Sequence, residues 1–330
     1  MMPLTIMLAV TGEVDAGEIP APVLDAAGRW QADAGSVRHV RSSANHIFRF
    51  EREGSPYYLR LSPTSERSPA GLEAELDFIE VVEAAGVAVA RPVPSAAGNQ
   101  IETVAGDGIS YHAVVFTGLQ GQAWLEPDEL TPAMYRAWGE TLGQIHRASQ
   151  TYEPAAARRP TWQERMAGAR RRLAEEPAIR AELDRAADWL ERLARPGGTY
   201  GLIHGDPELD NLVWDGAVFH VMDFDDAHYH LYAYDVALAL EEVWAKEEKT
   251  GERTALFLDG YREVPGTPVI NPALIPRFLR LNRALKAAAL VRAYAGLPEE
   301  GVPQWVERLR ARHRDVLAET REAMALPFNW

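Results

Sequence analysis

The stretch LIHGDPELDNLVWDGAVFHVMDFDD, residues 202–226, decides the fold of this chain. Its apolar and turn-forming residues follow one another in the order strand, tight loop, strand, turn and strand. The Asp215-Gly216 pair is a strong hairpin signal, and a hairpin here brings Asp223 back beside the loop that holds Asp206 and Asn211. Two carboxylates and one amide then converge. A hard divalent cation with phosphate ligands needs such oxygen-bearing side chains.

The composition is that of an ordinary globular enzyme. The 330 residues are 47% hydrophobic and 25% charged, which is enough for one large domain or two lobes with a buried core. The net charge of −14 argues against nucleic acid or an anionic membrane as a partner and mildly favours a cationic substrate. The chain has no cysteine, which excludes disulfides, a thiolate nucleophile and zinc–thiolate sites.

The first ten residues are apolar, contain Pro3 and have no basic leader. This pattern predicts a strand or an ordered arm rather than a signal peptide. No run of residues approaches the ~18 apolar residues of a membrane span. We therefore expect a cytoplasmic protein.

Four separated elements carry a resemblance to a known family: His204-Gly205-Asp206, Asn211, Asp223-Phe224-Asp225 and Tyr234-Asp235-Val236-Ala237. In order and spacing they resemble the aminoglycoside phosphotransferase and homoserine-kinase-like family, which has a protein-kinase-like fold. The resemblance covers roughly residues 35–290. It implies a bilobal α+β fold, with an N-terminal nucleotide-binding lobe over residues 1–117, built from an antiparallel sheet and one main helix. A larger, mostly helical lobe over residues 118–330 then holds the catalytic loop and the acceptor site.

The resemblance implies an ATP-dependent phosphotransferase with a hydroxyl as acceptor. Asp206 would orient that hydroxyl and take its proton, while Asn211 and Asp223 would hold Mg²⁺. Asp225 is either a further metal ligand or a contact to a cationic acceptor group. In the second role it would act with Glu208, Asp210 and Asp226.

Three polar residues of this region are expected to support the catalytic loop. His204 would fix the loop through hydrogen bonds. Asp235 could cap the helix that follows it, reach back to the backbone of the His204 loop, or do both. His146 fits a packed or capping histidine better than a catalyst.

The N-terminal lobe is expected to hold the phosphates of the nucleotide. Strands are predicted over residues 36–41, 46–51 and 57–61. The resemblance places Arg60 where the third strand of the family carries a Lys or Arg against the α- and β-phosphates. Because lysine occurs only at positions 246, 249 and 286, Arg60 must fill this role if it is filled. Ser68-Pro69 begins a helix on which Glu75 could pair with Arg60, with Glu73 as the competing partner.

Two loops complete the predicted nucleotide site. The resemblance places the turn of residues 42–45, with Ser43 and Asn45, over the phosphates, although it contains no glycine and by itself fits an ordinary hairpin loop. The stretch of residues 116–121 has two glycines, after which the chain becomes helical, and it is the expected boundary between the lobes. The resemblance places the adenine near the backbone of Val115, Phe116 and Thr117.

The acceptor remains open between an aminoglycoside-like antibiotic, an amino alcohol and a homoserine-like metabolite. The acidic residues near Asp225 favour an amine-bearing molecule. Alternatives are a protein Ser/Thr kinase of the same fold and a nucleotide-binding module without catalysis. A transition-metal cluster of His220, His228 and His230 with Asp223 and Asp225 has no coherent ligand spacing.

Overall fold

The computed structural model describes residues 1–106, 108–154, 158–195, 197–246 and 251–330. A six-stranded sheet forms the N-terminal part of the protein, and helices form most of the remainder. The helices are α1 Leu4–Asp15, α2 Ala21–Arg29, α3 Pro69–Ala84, α4 Pro132–Ser149, α5 Trp162–Arg172, α6 Pro177–Arg192, α7 Tyr232–Ala239, α8 Glu241–Lys246, α9 Glu252–Glu263, α10 Ile275–Ala293 and α11 Gln304–Ala325. The predicted end of a helix at Thr250 lies outside the described residues.

The sheet is antiparallel throughout and has the order β1-β2-β3-β6-β4, with β5 paired to β6. Its strands are β1 Arg38–Ser42, β2 His46–Arg52, β3 Ser55–Pro63, β4 Pro92–Val93, β5 Glu102–Ala105 and β6 Ser110–Thr117. Leu59 and Leu61 of β3 pack in the core under the sheet, so the alternation of a strand turns Arg60 to the opposite face. The three strands predicted around this arginine are confirmed.

Helix α3 begins where the sequence predicts. The Ser68 hydroxyl accepts a hydrogen bond from the Gly71 N–H at 3.1 Å and caps the helix, with proline at its first position. Its buried stripe contains Leu72 and four residues that pack into the main core together with α4, namely Leu76, Phe78, Ile79 and Val82. The fully buried Glu75 lies on this same inward side of the helix. The helix thus carries a charge into the protein interior.

Two short ribbons hold the stretch of residues 202–226. β7 Tyr200–Ile203 pairs with β10 His228–Leu231, and β8 Leu212–Trp214 pairs with β9 Phe219–Val221. The β8–β9 hairpin turns at Asp215, whose carboxylate accepts hydrogen bonds from the N–H groups of Ala217 and Val218. Residues 226–234, which in the sequence look like a short link with no activation-loop segment, are not irregular throughout. The link contains β10, which closes the loop against β7.

Two other predicted features are corrected. Residues 4–15 form helix α1 rather than a strand, because Leu4, Met7 and Val10 recur at helical spacing and are buried on one side. Leu4 and Met7 share a small core with Val306 of α11. The sequence also predicts a helix over residues 20–31 with Leu24 on its buried face, but on α2 Leu24 is 51% exposed, while Trp30, directly after the helix, is fully buried. Among the described residues, no helix is both long and apolar enough to span a bilayer.

Candidate active site

The loop after β7 is held by the carboxylate of Asp235. Its two oxygens accept hydrogen bonds from the backbone N–H groups of His204 and Gly205, each at 2.9 Å. Gly205 has φ of +85°, and a Cβ there would lie 2.2 Å from the carbonyl oxygen of Asp226, so glycine is required. Helix α7 begins at Tyr232, so Asp235 lies in its first turn and does not cap it. The expectation that Asp235 reaches back to the loop matches this geometry.

Two buried histidines support the same loop. The imidazole of His146 lies 3.0 Å from Asp235 and 2.8 Å from the Tyr261 hydroxyl. His204 donates from Nε2 to the Met222 carbonyl at 3.1 Å and accepts from the Asp206 N–H at Nδ1, 3.2 Å away. Burial lowers the pKa of His204, which keeps it neutral, as this pattern of one donor and one acceptor requires. Both histidines therefore fix the loop.

Asp206 and Asn211 form a hydrogen-bonded pair. The Asn211 amide nitrogen donates to the Asp206 carbonyl and to its carboxylate Oδ2, each at 2.9 Å. The Asn211 carbonyl Oδ1 is buried and has no hydrogen-bond partner among the described residues. Burial raises the pKa of Asp206, and the carboxylates of Glu208 and Asp226 raise it further. An unpartnered buried oxygen beside carboxylates is a site that a cation would satisfy.

Asp223 follows β9 and faces two arginines. Its backbone is left-handed, with φ of +63°, an uncommon conformation for a residue other than glycine. The carboxylate lies 3.4 Å from Arg41 Nη2 and 4.0 Å from Arg60 Nη1. Burial raises the pKa of Asp223 to about 6, with Asp225 adding to the shift. The two guanidinium groups supply the positive charge that this carboxylate needs.

Asp225 points elsewhere. Arg67 donates to both of its oxygens, with Nε 2.6 Å from Oδ1, and the Asn45 amide donates to Oδ2 at 3.0 Å. Burial alone would raise the pKa of Asp225, but Arg67 holds it below the usual range. The structure therefore does not bring Asp225 together with Asn211 and Asp223 as an open ligand. Asp225, at the end of the stretch of residues 202–226, instead connects this stretch to Arg67 and Asn45 of the N-terminal part.

The three carboxylates predicted to face an acceptor are each near a cation of the chain. Glu208 lies 3.1 Å from Lys286, and Asp226 lies 3.0 Å from Arg165. Asp210 lies 3.8 Å from Arg41 and lines the same cavity as Asp223. Glu208 and Asp226 line a second cavity, which also contains Asp206.

Arg60 and Glu75 form a buried ion pair with two parallel hydrogen bonds, at 2.7 and 3.0 Å. The Arg60 side chain is 4% exposed and that of Glu75 is fully buried, while Glu73 is exposed and cannot be the partner. The guanidinium also lies 5.1 Å from the centre of the Phe116 ring. The pair fixes Arg60 above Asp223, as the sequence indicated.

A cavity of about 310 Å³ lies beneath Arg60. Its walls are mostly apolar and come from both parts of the chain: Ile47, Tyr58, Ala90, Phe116, Thr117, Leu119, Val213 and Met222. Val115 does not line it, because its side chain packs in the core under the sheet. The Thr117 N–H already donates to the Arg91 carbonyl at 2.9 Å. Leu119, which the sequence did not single out, reaches the cavity instead.

The turn of residues 42–45 is held by its own polar groups. The Ser43 N–H donates to the Asn45 carbonyl at 3.0 Å. The buried side chain of Asn45 accepts from Ser62 at 2.7 Å and donates to Asp225. Neither Ser43 nor Asn45 lines the cavity, whereas Arg41 does. The sequence missed Arg41, although its position directly before the expected phosphate turn was an available signal.

The rival histidine cluster receives no support. Among the described residues, no group of three or more histidine, aspartate or glutamate side chains is arranged to hold a metal ion. His228 is hydrogen-bonded to the Asp226 carbonyl at 2.8 Å, and His230 accepts from the Leu231 N–H at 2.8 Å. These histidines serve the local backbone.

Comparison with known proteins identifies relatives of this arrangement. The model of a phosphotransferase enzyme family matches residues 36–272. Amicoumacin kinase of Bacillus subtilis is 27% identical over 277 residues, which cover 79% of this chain and 81% of that protein. Homoserine kinase of Gluconacetobacter diazotrophicus is 34% identical over 228 residues, which cover 64% of this chain and 69% of that protein.

Solved structures share the fold. Amicoumacin kinase hAmiN in complex with AMP-PNP, Ca²⁺ and Ami has a TM-score of 0.76 at 24% identity, covering 94% of this chain and 96% of that one. A microcompartment-associated aminopropanol kinase has a TM-score of 0.69 at 24% identity, covering 92% and 98%. The expected kinase-like fold, with its N-terminal antiparallel sheet and its helical C-terminal part, is confirmed.

Proposed function

The chain belongs to the phosphotransferase enzyme family, and from this premise we propose that it transfers the γ-phosphate of ATP to a hydroxyl of a small molecule. The observation that carries the proposal is the buried Asn211 Oδ1, which has no partner in the described chain. The amide nitrogen of the same side chain donates a hydrogen bond to Asp206. Phosphoryl transfer needs positioned phosphates, a cation and an oriented acceptor more than it needs covalent chemistry. The residues around Asn211 can supply each of these.

We assign the divalent cation, in the cell Mg²⁺, to Asn211 Oδ1 and the Asp223 carboxylate. The donor set fits, since it combines one neutral and one charged oxygen and leaves positions for water and phosphate oxygens. When bound, such an ion neutralises charge on the transferred phosphate. We leave Asp225 out of this set because Arg67 and Asn45 already occupy its oxygens.

Arg60 and Arg41 are the proposed contacts to the nucleotide phosphates. Both guanidinium groups lie within 4.0 Å of Asp223, at the polar end of the smaller cavity. Glu75 fixes Arg60, whereas Arg41 is one-third exposed and can turn from Asp223 towards an incoming phosphate. The apolar walls of the cavity suit a purine base, with Phe116, Thr117 and Leu119 at its edge. This assignment agrees with a division into lobes near residue 117, where β6 ends.

Asp206 is the proposed catalytic residue. Its carboxylate would accept a hydrogen bond from the acceptor hydroxyl, aim the oxygen at the phosphorus and take the proton as the new bond forms. The raised pKa of Asp206 makes it a better proton acceptor than an ordinary aspartate. Through His204 and Gly205, Asp235 holds the loop that presents it.

A small molecule is a better acceptor for this site than a protein. The relatives include an amicoumacin kinase, a homoserine kinase and an aminopropanol kinase. From these names we take an amino alcohol, a hydroxy amino acid or an antibiotic as candidate acceptors. Residues 226–234 form β10 and the start of α7, which leaves no activation-loop segment between Asp226 and Asp235. A binding module without catalysis would not need Asp206, Asn211 and Asp223 together.

The proposal is tested by measuring ATP consumption and phosphorylated product with Mg²⁺. The panel contains an aminoglycoside, amino alcohols, homoserine and casein, and it is run for the wild type and for Asp206→Asn. We expect product with at least one small molecule, and none with casein or with Asp206→Asn. Nucleotide binding without transfer or hydrolysis, unchanged in Asp206→Asn, would establish the binding module instead.

A further inference from the structure

The second cavity, of about 600 Å³, contains Asp206, and 13 of its 27 lining residues have charged side chains. Its walls come from residues 66–71, from helix α5 and from helix α10. We call it the acceptor cavity, because under the proposed function the acceptor hydroxyl must reach Asp206 through it. Its charges indicate which acceptors it can hold.

The carboxylates of the acceptor cavity are already neutralised, with one exception. Four of them form ion pairs across the cavity wall: Glu66 with Arg292, Asp225 with Arg67, Asp226 with Arg165, and Glu208 with Lys286. Glu164 pairs with Arg158 at 2.9 Å. Of the six acidic side chains that line this cavity, Asp206 alone lacks an ion pair within the described chain. A cationic acceptor group would therefore find little free negative charge there.

Cations remain in excess. Within the described residues, neither Arg171 nor Arg172 forms an ion pair, and the buried Arg159 is bonded to the carbonyl groups of Gly71, Asp225 and Ala227. Burial lowers the pKa of Arg172, and the positive charge of Arg292 lowers it further. The negative charge of Glu66 acts in the opposite direction, but Arg292, Arg165 and Arg171 are all positive neighbours of Arg172. An anion would relieve this repulsion.

Two arginines of helix α5 lie on the same side of the cavity. Arg165 and Arg172 are seven residues apart on α5 and so lie on one face of that helix. Gly168 lies between them, and the nearest atom to a Cβ built there is Nη2 of Arg171 at 3.9 Å, so only the end of a flexible side chain reaches this position. On α10, Ala289 and Arg292 line the cavity as well. Small residues between arginines leave room for a ligand group.

We propose that the unpaired Arg172 binds an anionic oxyacid group of the acceptor, a carboxylate or a phosphate monoester, while the acceptor hydroxyl faces Asp206; the paired Arg165 and Arg292 line the same cavity and add positive charge around this group. The inference deepens the proposed function and rests on it. It replaces the expectation of an acceptor chosen for its amine, because the carboxylates that were to bind the amine are paired within the chain. Polycationic acceptors are disfavoured by the same wall.

The test uses pairs of acceptors that differ only in the anionic group. L-homoserine is compared with 3-amino-1-propanol, and glycerol 3-phosphate with glycerol, in the wild type, Arg172→Gln and Arg170→Gln. Arg170 is the matched control, because it lies in the same last turn of α5 but pairs with Asp184 and does not line the cavity. We expect a preference of roughly tenfold in kcat/KM for the anionic member of at least one pair, typical of a charge-assisted hydrogen bond. It should be lost in Arg172→Gln and kept in Arg170→Gln.

Binding to Asp206→Asn by titration calorimetry, with the same four compounds, separates this inference from the proposed function. One outcome is that no compound is phosphorylated, that the anionic members nevertheless bind more tightly to Asp206→Asn, and that this difference in affinity is smaller in Asp206→Asn/Arg172→Gln. The anion site is then supported, while the proposed reaction is wrong. The pair that shows the preference identifies the oxyacid group. If both members of each pair have the same affinity and the same kcat/KM, or if neither member binds, the anion site is wrong. An equal loss for both members in Arg172→Gln overturns it too.

Discussion

The two cavities that meet the stretch of residues 202–226 differ in what builds them. The cavity beneath Arg60, to which we assign the nucleotide and which we call the nucleotide cavity, has mostly apolar walls from strands and loops, and its charged residues are Arg60, Arg41, Asp210 and Asp223. The acceptor cavity is about twice as large and is lined by long charged side chains of α5 and α10. The first has its main cation fixed by the buried Arg60–Glu75 pair. The second is lined in part by half-exposed pairs such as Arg165 with Asp226 and Lys286 with Glu208.

Asp206→Asn should separate the two cavities most strongly. The amide keeps the shape of the carboxylate but cannot take the proton, so kcat should fall at least ~100-fold. Nucleotide affinity should change by less than about twofold, since Asp206 does not line the nucleotide cavity. Steady-state kinetics and nucleotide titration check both values. A large loss of nucleotide affinity would mean that the cavities are not independent.

The buried pair of the nucleotide cavity should be worth far more stability than a half-exposed pair of the acceptor cavity. Arg60→Met leaves Glu75 buried without its partner and should lower the free energy of unfolding by about 3–5 kcal/mol. Arg165→Met, which breaks a pair that is about 34% and 45% exposed, should cost about 1 kcal/mol or less. Urea unfolding of both variants measures the difference.

The double variant Arg60→Met/Glu75→Leu provides the control. It removes both charges, so it should be more stable than Arg60→Met alone. If the double variant is the less stable of the two, the cost lies in lost packing rather than in an unpaired charge.

Arg41→Gln should weaken the nucleotide cavity alone. Loss of one phosphate contact should raise the KM for Mg-ATP roughly tenfold, with acceptor KM unchanged. Arg49→Gln on the neighbouring strand is a matched control, since Arg49 pairs with Glu51 on the surface and lines neither cavity. An unchanged KM in Arg41→Gln would mean that Arg41 does not contact the phosphates and only pairs with Asp223 in the protein without nucleotide.

The smallest expected difference between the two cavities is the dependence of ligand binding on salt concentration. Binding of adenosine, which lacks phosphates, depends on apolar walls and should change less than about twofold between low and high ionic strength. The KM of an anionic acceptor should rise a few-fold over the same range, because its contacts are partly exposed charges. Inhibition by adenosine and acceptor kinetics are measured at matched salt concentrations. Equal salt dependence would remove the contrast.

The sequence predicted the parts of this protein that short-range rules determine. The spacing of Asp206, Asn211 and Asp223 around a hairpin turn is local, and strand alternation with helix periodicity narrowed the partner of Arg60 to Glu75 or Glu73. Alternation alone could not show that Arg67 and Asn45 occupy Asp225, because these contacts span more than 150 residues. For the same reason, the acidic residues near Asp225 suggested a cationic acceptor. Their partners on α5 and α10 are distant in sequence.

Helix α1 and strand β10 were missed for different physical reasons. The apolar residues of α1 fit a short strand as well as a helix, and only packing against α11 decides between them. Strand β10 is four residues long and gains its hydrogen bonds from β7, which lies 25 or more residues earlier in the chain. Neither is encoded by local propensity.

The most direct test of the central assignment is the anomalous map of a crystal grown with AMP-PNP and Mn²⁺ as a substitute for Mg²⁺. We predict a manganese peak within about 2.6 Å of Asn211 Oδ1 and of the Asp223 carboxylate, with Arg60 on the phosphates. A peak bound by other residues, or a nucleotide bound with Asn211 Oδ1 still unpartnered, would contradict the account.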